Sequence, residues 1–270
     1  MPTLRGGHLE MSNDSTSKTL IVAACLCVAC SVLVSTAAVL LKPTQVKNKR
    51  LDVKKNLLLA AGLIDSPKVT ENQIKEAFEQ IETKLIDLST GKEVTDMDSS
   101  TYDLEKADKD PSMATSIPRA EDIARIKMRA KVRPVYLVKE SGKVSQIILP
   151  FHGKGLWSTM YGFLSLAPDT KTVKGIGFYQ HGETPGLGGE IDNKKWQASW
   201  QGKKVLSDSY KPTIDVIKGS VDSSMDGAIS KIDGLSGATL TSNGVEASVN
   251  YWLSNGGYGK FLAIFRAGGV

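Results

Sequence analysis

The longest unbroken apolar stretch runs from Leu20 to Leu41, 22 residues without a charge and rich in Ala, Val, Leu and Cys. As a helix rising 1.5 Å per residue it reaches about 33 Å, enough for a bilayer core of about 30 Å. A cleaved leader needs only about 7–15 apolar residues. Despite the small residues Ser35-Thr36-Ala37, the stretch therefore predicts an uncleaved single-pass membrane helix at 20–41. Residues 1–19 are expected to form a polar tail, in which Met11 to Lys18 reads as a natural start and residues 1–10 stay outside the fold reading.

Beyond the span, Val46 to Ala61 predicts a helix with Leu51, Leu57, Leu58 and Leu59 available for packing, stopped by Gly62. Ile74, Phe78, Ile81 and Leu85 recur at spacings of four, three and four, which predicts a second helix over Thr70–Leu85. Thr70 with Gln73 supplies a capping box at its start. Residues 89–118 are polar and read as loop with short structure.

From Arg133 the period changes. Val135–Val138 and Val144–Leu149 read as strands joined by Lys-Glu-Ser-Gly, and Tyr161–Leu166, Thr172–Tyr179 and Pro212–Ile217 continue the pattern. Asn243–Leu253, with Val245, Val249 and Trp252 on one face, predicts a closing helix entered at Asn243 and Glu246. Helices followed by adjacent strands predict an α+β fold with an antiparallel sheet and flanking helices. The expected organisation is a membrane helix at 20–41, a juxtamembrane and helical segment at 42–132, and a binding domain at 133–270.

Charge sharpens this picture once it is located. The chain has 270 residues with 34 Lys+Arg and 29 Asp+Glu, a net charge of +5. Residues 42–55 hold Lys42, Lys47, Lys49, Arg50, Lys54 and Lys55 against Asp52, which accounts for all of the excess. The body beyond is neutral in total, which lowers the case for a nucleic-acid partner. The basic cluster instead follows directly on the apolar span, where headgroups of a membrane surface are its natural partner.

All three cysteines, Cys25, Cys27 and Cys30, lie inside the span. Cys27-x-x-Cys30 has the spacing of a redox pair, but a metal site needs more ligands than two thiols. The domain beyond has no cysteine, so redox chemistry there requires a cofactor bound without thiols. His152 and His181 are too few for a metal centre and read as loop histidines. Trp196 and Trp200, four apart, read as packing residues.

Three loops are rich in glycine: His152 to Trp157, Gly182 to Glu190, and Asp233 to Gly244. Glycine lets backbone approach a ligand closely, and the third loop carries Ser236, Thr239, Thr241 and Ser242 into a helix start, a good place for a phosphate. The P-loop pattern GxxxxGK[ST] is absent, and so is the dinucleotide fingerprint. A hydrolase built on Ser236 lacks the nucleophile elbow, because Ala238 stands where the second glycine belongs.

Asp233-Gly-Leu-Ser-Gly-Ala-Thr239 matches the flavinylation pattern Dxx[ST]GA[TS]. With the apolar span, Val135–Lys139, Ile148–Trp157, Gly182–Glu190 and Gly234–Val245 in the same order, the chain resembles the C subunit of the sodium-translocating NADH:quinone reductase from Met11 onward. The sister family, the G subunit of the Rnf electron-transport complex, shares the flavinylation motif. A non-redox scaffold protein is a third reading, which leaves the glycine loops without a purpose.

The resemblance implies FMN held covalently by a phosphoester to Thr239, attached by a separate flavin transferase that uses FAD. It implies that Asp233, Ser236, Gly237 and Ala238 shape and present the turn, while Thr241 and Ser242 add hydroxyl donors to the phosphate. Glu183, Thr184, Gly186, Leu187, Gly188 and Trp157 would lie against the flavin, with Gly155 and Leu156 beside them. No residue is expected to act as nucleophile or base in turnover, because the cofactor carries the electron chemistry.

The implied setting is a bacterial inner-membrane complex of six subunits, the partners being A, B, D, E and F. It passes electrons from NADH toward ubiquinone and exports Na+. The resemblance places the C-terminal domain in the periplasm. The positive-inside rule applied to Lys42–Lys55 predicts the opposite side.

Overall fold

The computed structural model describes residues 15–64, 66 and 68–269. Of the expected tail at 1–19, residues 1–14 lie outside the described residues, and Thr16 to Thr19 belong to the first helix. The chain divides into two compact units at Arg50/Leu51. Helix α1 runs without a break over Thr16–Ala60 and contains the apolar span, whose side chains are exposed as a lipid-facing helix requires. The helix expected at Val46–Ala61 is the end of this same helix. Pro43 stands inside it, costing one backbone donor but not the continuity. Gly62, at φ +67°, ends it as the sequence predicts.

The second unit is built on five antiparallel strands: β1 (Ile81–Asp87), β4 (Val132–Glu140), β5 (Lys143–Lys154), β6 (Thr159–Leu166) and β7 (Val173–Gln180), in the order β1-β4-β5-β6-β7. Ser141 and Gly142 turn β4 into β5 with both φ values positive, as a tight hairpin demands. Central β5 is buried continuously from Gln146 to Gly153, because both faces of the sheet are covered.

On one face lie Leu57, Leu58, Ala60 and Ala61 from the end of α1 and Ile74 from helix α2 (Glu71–Phe78), packed on Val138, Ile148 and Phe163. The other face carries the larger core. There Val245, Val249 and Trp252 of helix α5 (Thr239–Leu253) and Phe261 and Leu262 of helix α6 (Gly259–Arg266) join Leu149, Phe151 and Leu164. Smaller pieces complete the unit: helices α3 (Leu104–Lys109) and α4 (Lys194–Ala198), a hairpin of β2 (Ala114–Ser116) and β3 (Met128–Ala130), and a parallel pair, β8 (Asp215–Val216) with β9 (Lys231–Ile232).

Three expectations are corrected. The helix predicted over Thr70–Leu85 stops at Phe78, and Ile81 and Leu85 belong to β1, which pairs with β4. A spacing of four is even, so it places two residues on one face of a strand as well as of a helix. The capping box of Thr70 and Gln73 is present as predicted. The strand expected at Pro212–Ile217 shrinks to Asp215–Val216. Finally, α5 begins at Thr239, not Asn243, and it does not close the chain, since α6 follows a tight turn in which Tyr258 donates its N–H to the Trp252 carbonyl (2.6 Å).

His152 also changes place. It lies in β5, buried, stacked on Tyr161 at 5.4 Å and tilted against Trp252 at 5.1 Å between ring centroids. It is a core histidine and not a loop residue.

Candidate cofactor site

The three glycine loops converge at the start of α5. Gly237, at φ +69°, reverses the chain, Ala238 forms the N-cap, and Thr239 is the first helical residue. No side chain caps this end, and no acidic residue lies in the first turn. The amides of Thr239, Leu240 and Thr241 therefore have no partner within the helix, and the positive end of its dipole is open to an anion. Thr239 is exposed, as are Ser236 and Leu240, so its hydroxyl is accessible.

Asp233 anchors the turn from behind. Its Oδ1 accepts the N–H of Val221 (2.7 Å), and its carbonyl accepts the indole N–H of Trp196 on α4 (2.8 Å). Trp196 thus does more than pack against Trp200, a role that no local sequence signal reveals because the two partners are 37 residues apart.

Glu183 is 4% exposed and faces inward. Its Oε1 accepts the N–H groups of Trp157 and Ser158, each at 3.0 Å, and the Ser158 hydroxyl at 3.3 Å. Its Oε2 accepts the N–H of Leu156 at 3.1 Å and the Thr241 hydroxyl at 2.6 Å. Burial pushes this carboxyl up, but the Thr241 hydroxyl and the Ser158, Trp157 and Leu156 amides outweigh it, holding the pKa below the usual glutamate value. His181 supports the same residue: its Nδ1 accepts the Glu183 N–H (3.2 Å), which puts the ring proton on Nε2, facing Asp192 at 2.8 Å.

Thr241 and Ser242, expected as donors to a phosphate, are turned inward instead. Thr241 spends its hydroxyl proton on Glu183, and the Ser242 hydroxyl accepts the N–H of Leu235 at 3.0 Å. Both are buried because they sit on the face of α5 that packs on the domain. Their part is to brace the turn.

Thr184 stays exposed, and its carbonyl accepts the N–H groups of Leu187 (3.1 Å) and Gly189 (2.8 Å), closing the second loop on itself. Gly186 takes φ +75° in open space, whereas Gly188 is buried against Thr241. Leu187 comes to Gly237, where an added Cβ would lie 3.0 Å from Leu187 Cδ2. Large apolar side chains stand exposed on this rim: Leu156, Trp157, Leu187 and Leu240, with Trp157 at 68%. An accessible hydroxyl on an uncapped helix start, beside an exposed apolar rim, has the donor set for a phosphate and a surface for a planar ring system.

Residues 155–254 match the model of the FMN-binding domain family, a stretch that runs from Gly155 through the second loop to the end of α5. The whole chain is similar to the C subunit of the Na(+)-translocating NADH-quinone reductase of Pseudomonas aeruginosa, 47% identical over 258 residues, covering 95% of this chain and 98% of that protein.

The chain belongs to this C-subunit family.

The C subunit of Vibrio anguillarum is 45% identical over 262 residues, covering 97% of this chain and 100% of that one. The crystal structure of Shewanella oneidensis NqrC superposes with a TM-score of 0.74 at 33% identity, covering 82% of this chain and 99% of that chain. That of the C subunit from Parabacteroides distasonis gives 0.60 at 26% identity, covering 80% of this chain and 94% of that one. The α+β fold of the C-subunit family, an antiparallel sheet with flanking helices after one long apolar helix, is thus the fold of this chain.

Proposed function

We propose that this chain, an NADH-quinone reductase subunit with an FMN-binding domain, holds its FMN covalently on Thr239. The reading rests on one observation: within the matched segment, the final threonine of Asp233–Thr239 is an exposed residue at the uncapped start of a 15-residue helix. A flavin transferase using FAD would form the bond between Thr239 Oγ1 and the FMN phosphorus. The pyrophosphate bond breaks, AMP leaves, and the hydroxyl proton is lost.

Bound there, FMN supplies the electron chemistry that a domain without cysteine lacks. The side chains do the rest. The first-turn amides of α5 bind the phosphate. Trp157, Leu156, Leu187 and Leu240 offer apolar surface and keep water off it. Asp233 holds the turn in the shape the transferase reads.

In this reading the chain relays electrons from NADH toward ubiquinone in a bacterial inner membrane, within a six-subunit complex whose other members are A, B, D, E and F. Na+ export belongs to its multi-helix partners, since one uncharged apolar helix offers no ion path. The domain beyond the anchor is periplasmic, where the transferase works. Long domains translocate with weak dependence on charge, so the basic cluster at 42–55 does not decide the side. A reporter fused after Val270 and active only in the cytoplasm would reverse this orientation.

The attachment is tested by coexpression with the transferase and in-gel flavin fluorescence after denaturation. Wild type gives a fluorescent band and Thr239→Val gives none. A band that survives in Thr239→Val moves the bond elsewhere.

A further inference from the structure

Glycine in a cofactor loop is expected to make room for the ligand, and two of these glycines do not. A Cβ on Gly155 would lie 2.6 Å from Glu183 Oε1. One on Gly188 would lie 2.5 Å from the Thr241 hydroxyl and 3.0 Å from Glu183 Oε2. Gly186, by contrast, meets nothing within 4 Å. Two glycines from two different loops thus leave room for one carboxylate and the Thr241 hydroxyl that donates to it, a pair that lies below the surface and not on it.

The donor set explains why that group is a carboxylate. Three backbone amides and two hydroxyls aim at Glu183 from the loop 156–158 and from α5. An ionised carboxylate accepts from all of them, whereas an amide would turn an NH2 toward at least one N–H donor.

We propose that Glu183 is a positioning residue, a latch that ties the loop carrying Trp157 to the helix carrying Thr239 and so sets how Trp157 stands toward the flavin. The second half rests on the reading of Thr239 as the flavin carrier; the first half does not. Trp157 has an exposed ring, but its backbone N–H is pinned to Glu183 Oε1, and the other oxygen holds Thr241, two residues beyond Thr239. Glu183 therefore joins the first turn of α5 to the Trp157 loop, beyond the backbone contact that Gly244 makes with Lys154 and Gly155 at the base of that loop.

The test uses the full chain in detergent, made without the transferase and labelled with 5-fluorotryptophan, so that Trp157, Trp196, Trp200 and Trp252 give four 19F signals. Trp157→Phe assigns the first. Glu183→Gln is expected to shift the Trp157 signal while the other three stay. Thr241→Val is expected to shift it in the wild-type background and to leave it unmoved in Glu183→Gln. A Trp157 signal that ignores Thr241→Val, or that moves equally in both backgrounds, overturns the latch. If Glu183→Gln does not fold, Thr241→Val in the wild-type background carries the test: a shifted Trp157 signal supports the latch and an unmoved one overturns it. In flavinylated protein, Glu183→Gln is expected to shift the flavin midpoint potential; an unchanged potential removes the link to the cofactor. A wild-type chain that takes up no covalent flavin sinks the assignment of Thr239, and the Trp157 experiment still decides the latch.

Discussion

The indole N–H of Trp196 donates to the main-chain carbonyl of Asp233 at 2.8 Å, so the residue that opens the Asp233–Thr239 segment is held by a helix 37 positions upstream. Trp196→Phe keeps the ring packing against Trp200 and removes the donor. Because the Asp233 carbonyl is then left without that partner, a loss of about 1–3 kcal/mol is expected. Urea unfolding measures it, and flavin uptake under limiting transferase is expected to slow in parallel.

A second prediction concerns the ion pair between buried Arg133 and half-buried Asp108. Arg133 is 1% exposed and donates to both oxygens of Asp108 at 2.7 and 3.0 Å, with its guanidinium 4.0 Å from the Trp252 ring. Asp108→Asn leaves a buried guanidinium without its counter-charge, at a cost of about 3–5 kcal/mol. Replacing both members by apolar residues is expected to cost less than that single change. Equilibrium unfolding of the three variants checks the order.

Acid sensitivity follows from His152. Burial, and then the Arg133 charge, push its pKa down to about 3, against a weaker opposite pull from Asp108. The unfolded chain takes up a proton near pH 6.5 that the folded chain refuses, so this residue's contribution is complete above pH 6.5 and falls as pH drops toward 3. Between pH 6.5 and 5 the loss is about 2 kcal/mol. His152→Phe fills the same space between Tyr161 and Trp252 without a titrating group. Its Tm is expected to fall less than that of wild type from pH 7 to pH 5. Glu183, whose folded pKa is depressed, loses its contribution as pH falls through the ordinary carboxylate value, and burial raises the pKa of Glu246; both act alike in the two proteins, so their difference isolates the histidine.

Gly175 on β7 tests the packing of the end of α1 against the sheet. A Cβ there would overlap the Ala60 carbonyl, and one on Gly177 would come within 3.3 Å of the Ala60 side chain. Gly175→Ala is expected to lower stability by about 1–3 kcal/mol through overpacking. Gly142→Ala in the exposed hairpin meets no neighbour and reports only the strain of a positive φ. Thermal unfolding of the pair separates the two effects.

What is legible in the sequence follows from local rules. The apolar span needs only its length, the β4–β5 hairpin only its alternation and a Ser-Gly turn, and α2 only its capping box. Ile81 and Leu85 mislead because an even spacing is shared by helix and strand, and only pairing with β4 separates them. The third loop does lead into a helix, but the helix starts four residues earlier than the sequence predicts, because no capping side chain marks Ala238.

The Asp233–Thr239 segment and the family of the chain were determined by residue order alone, since a contiguous run of residues needs no tertiary contact to be recognised. Which residues of the three glycine loops face outward was decided by tertiary structure. Thr241 and Glu183 are 58 residues apart, and nothing in either neighbourhood announces a hydrogen bond between them. That contact exists because α5 packs on β5 and brings its buried face to the loop below, where a carboxylate collects donors that no single segment supplies.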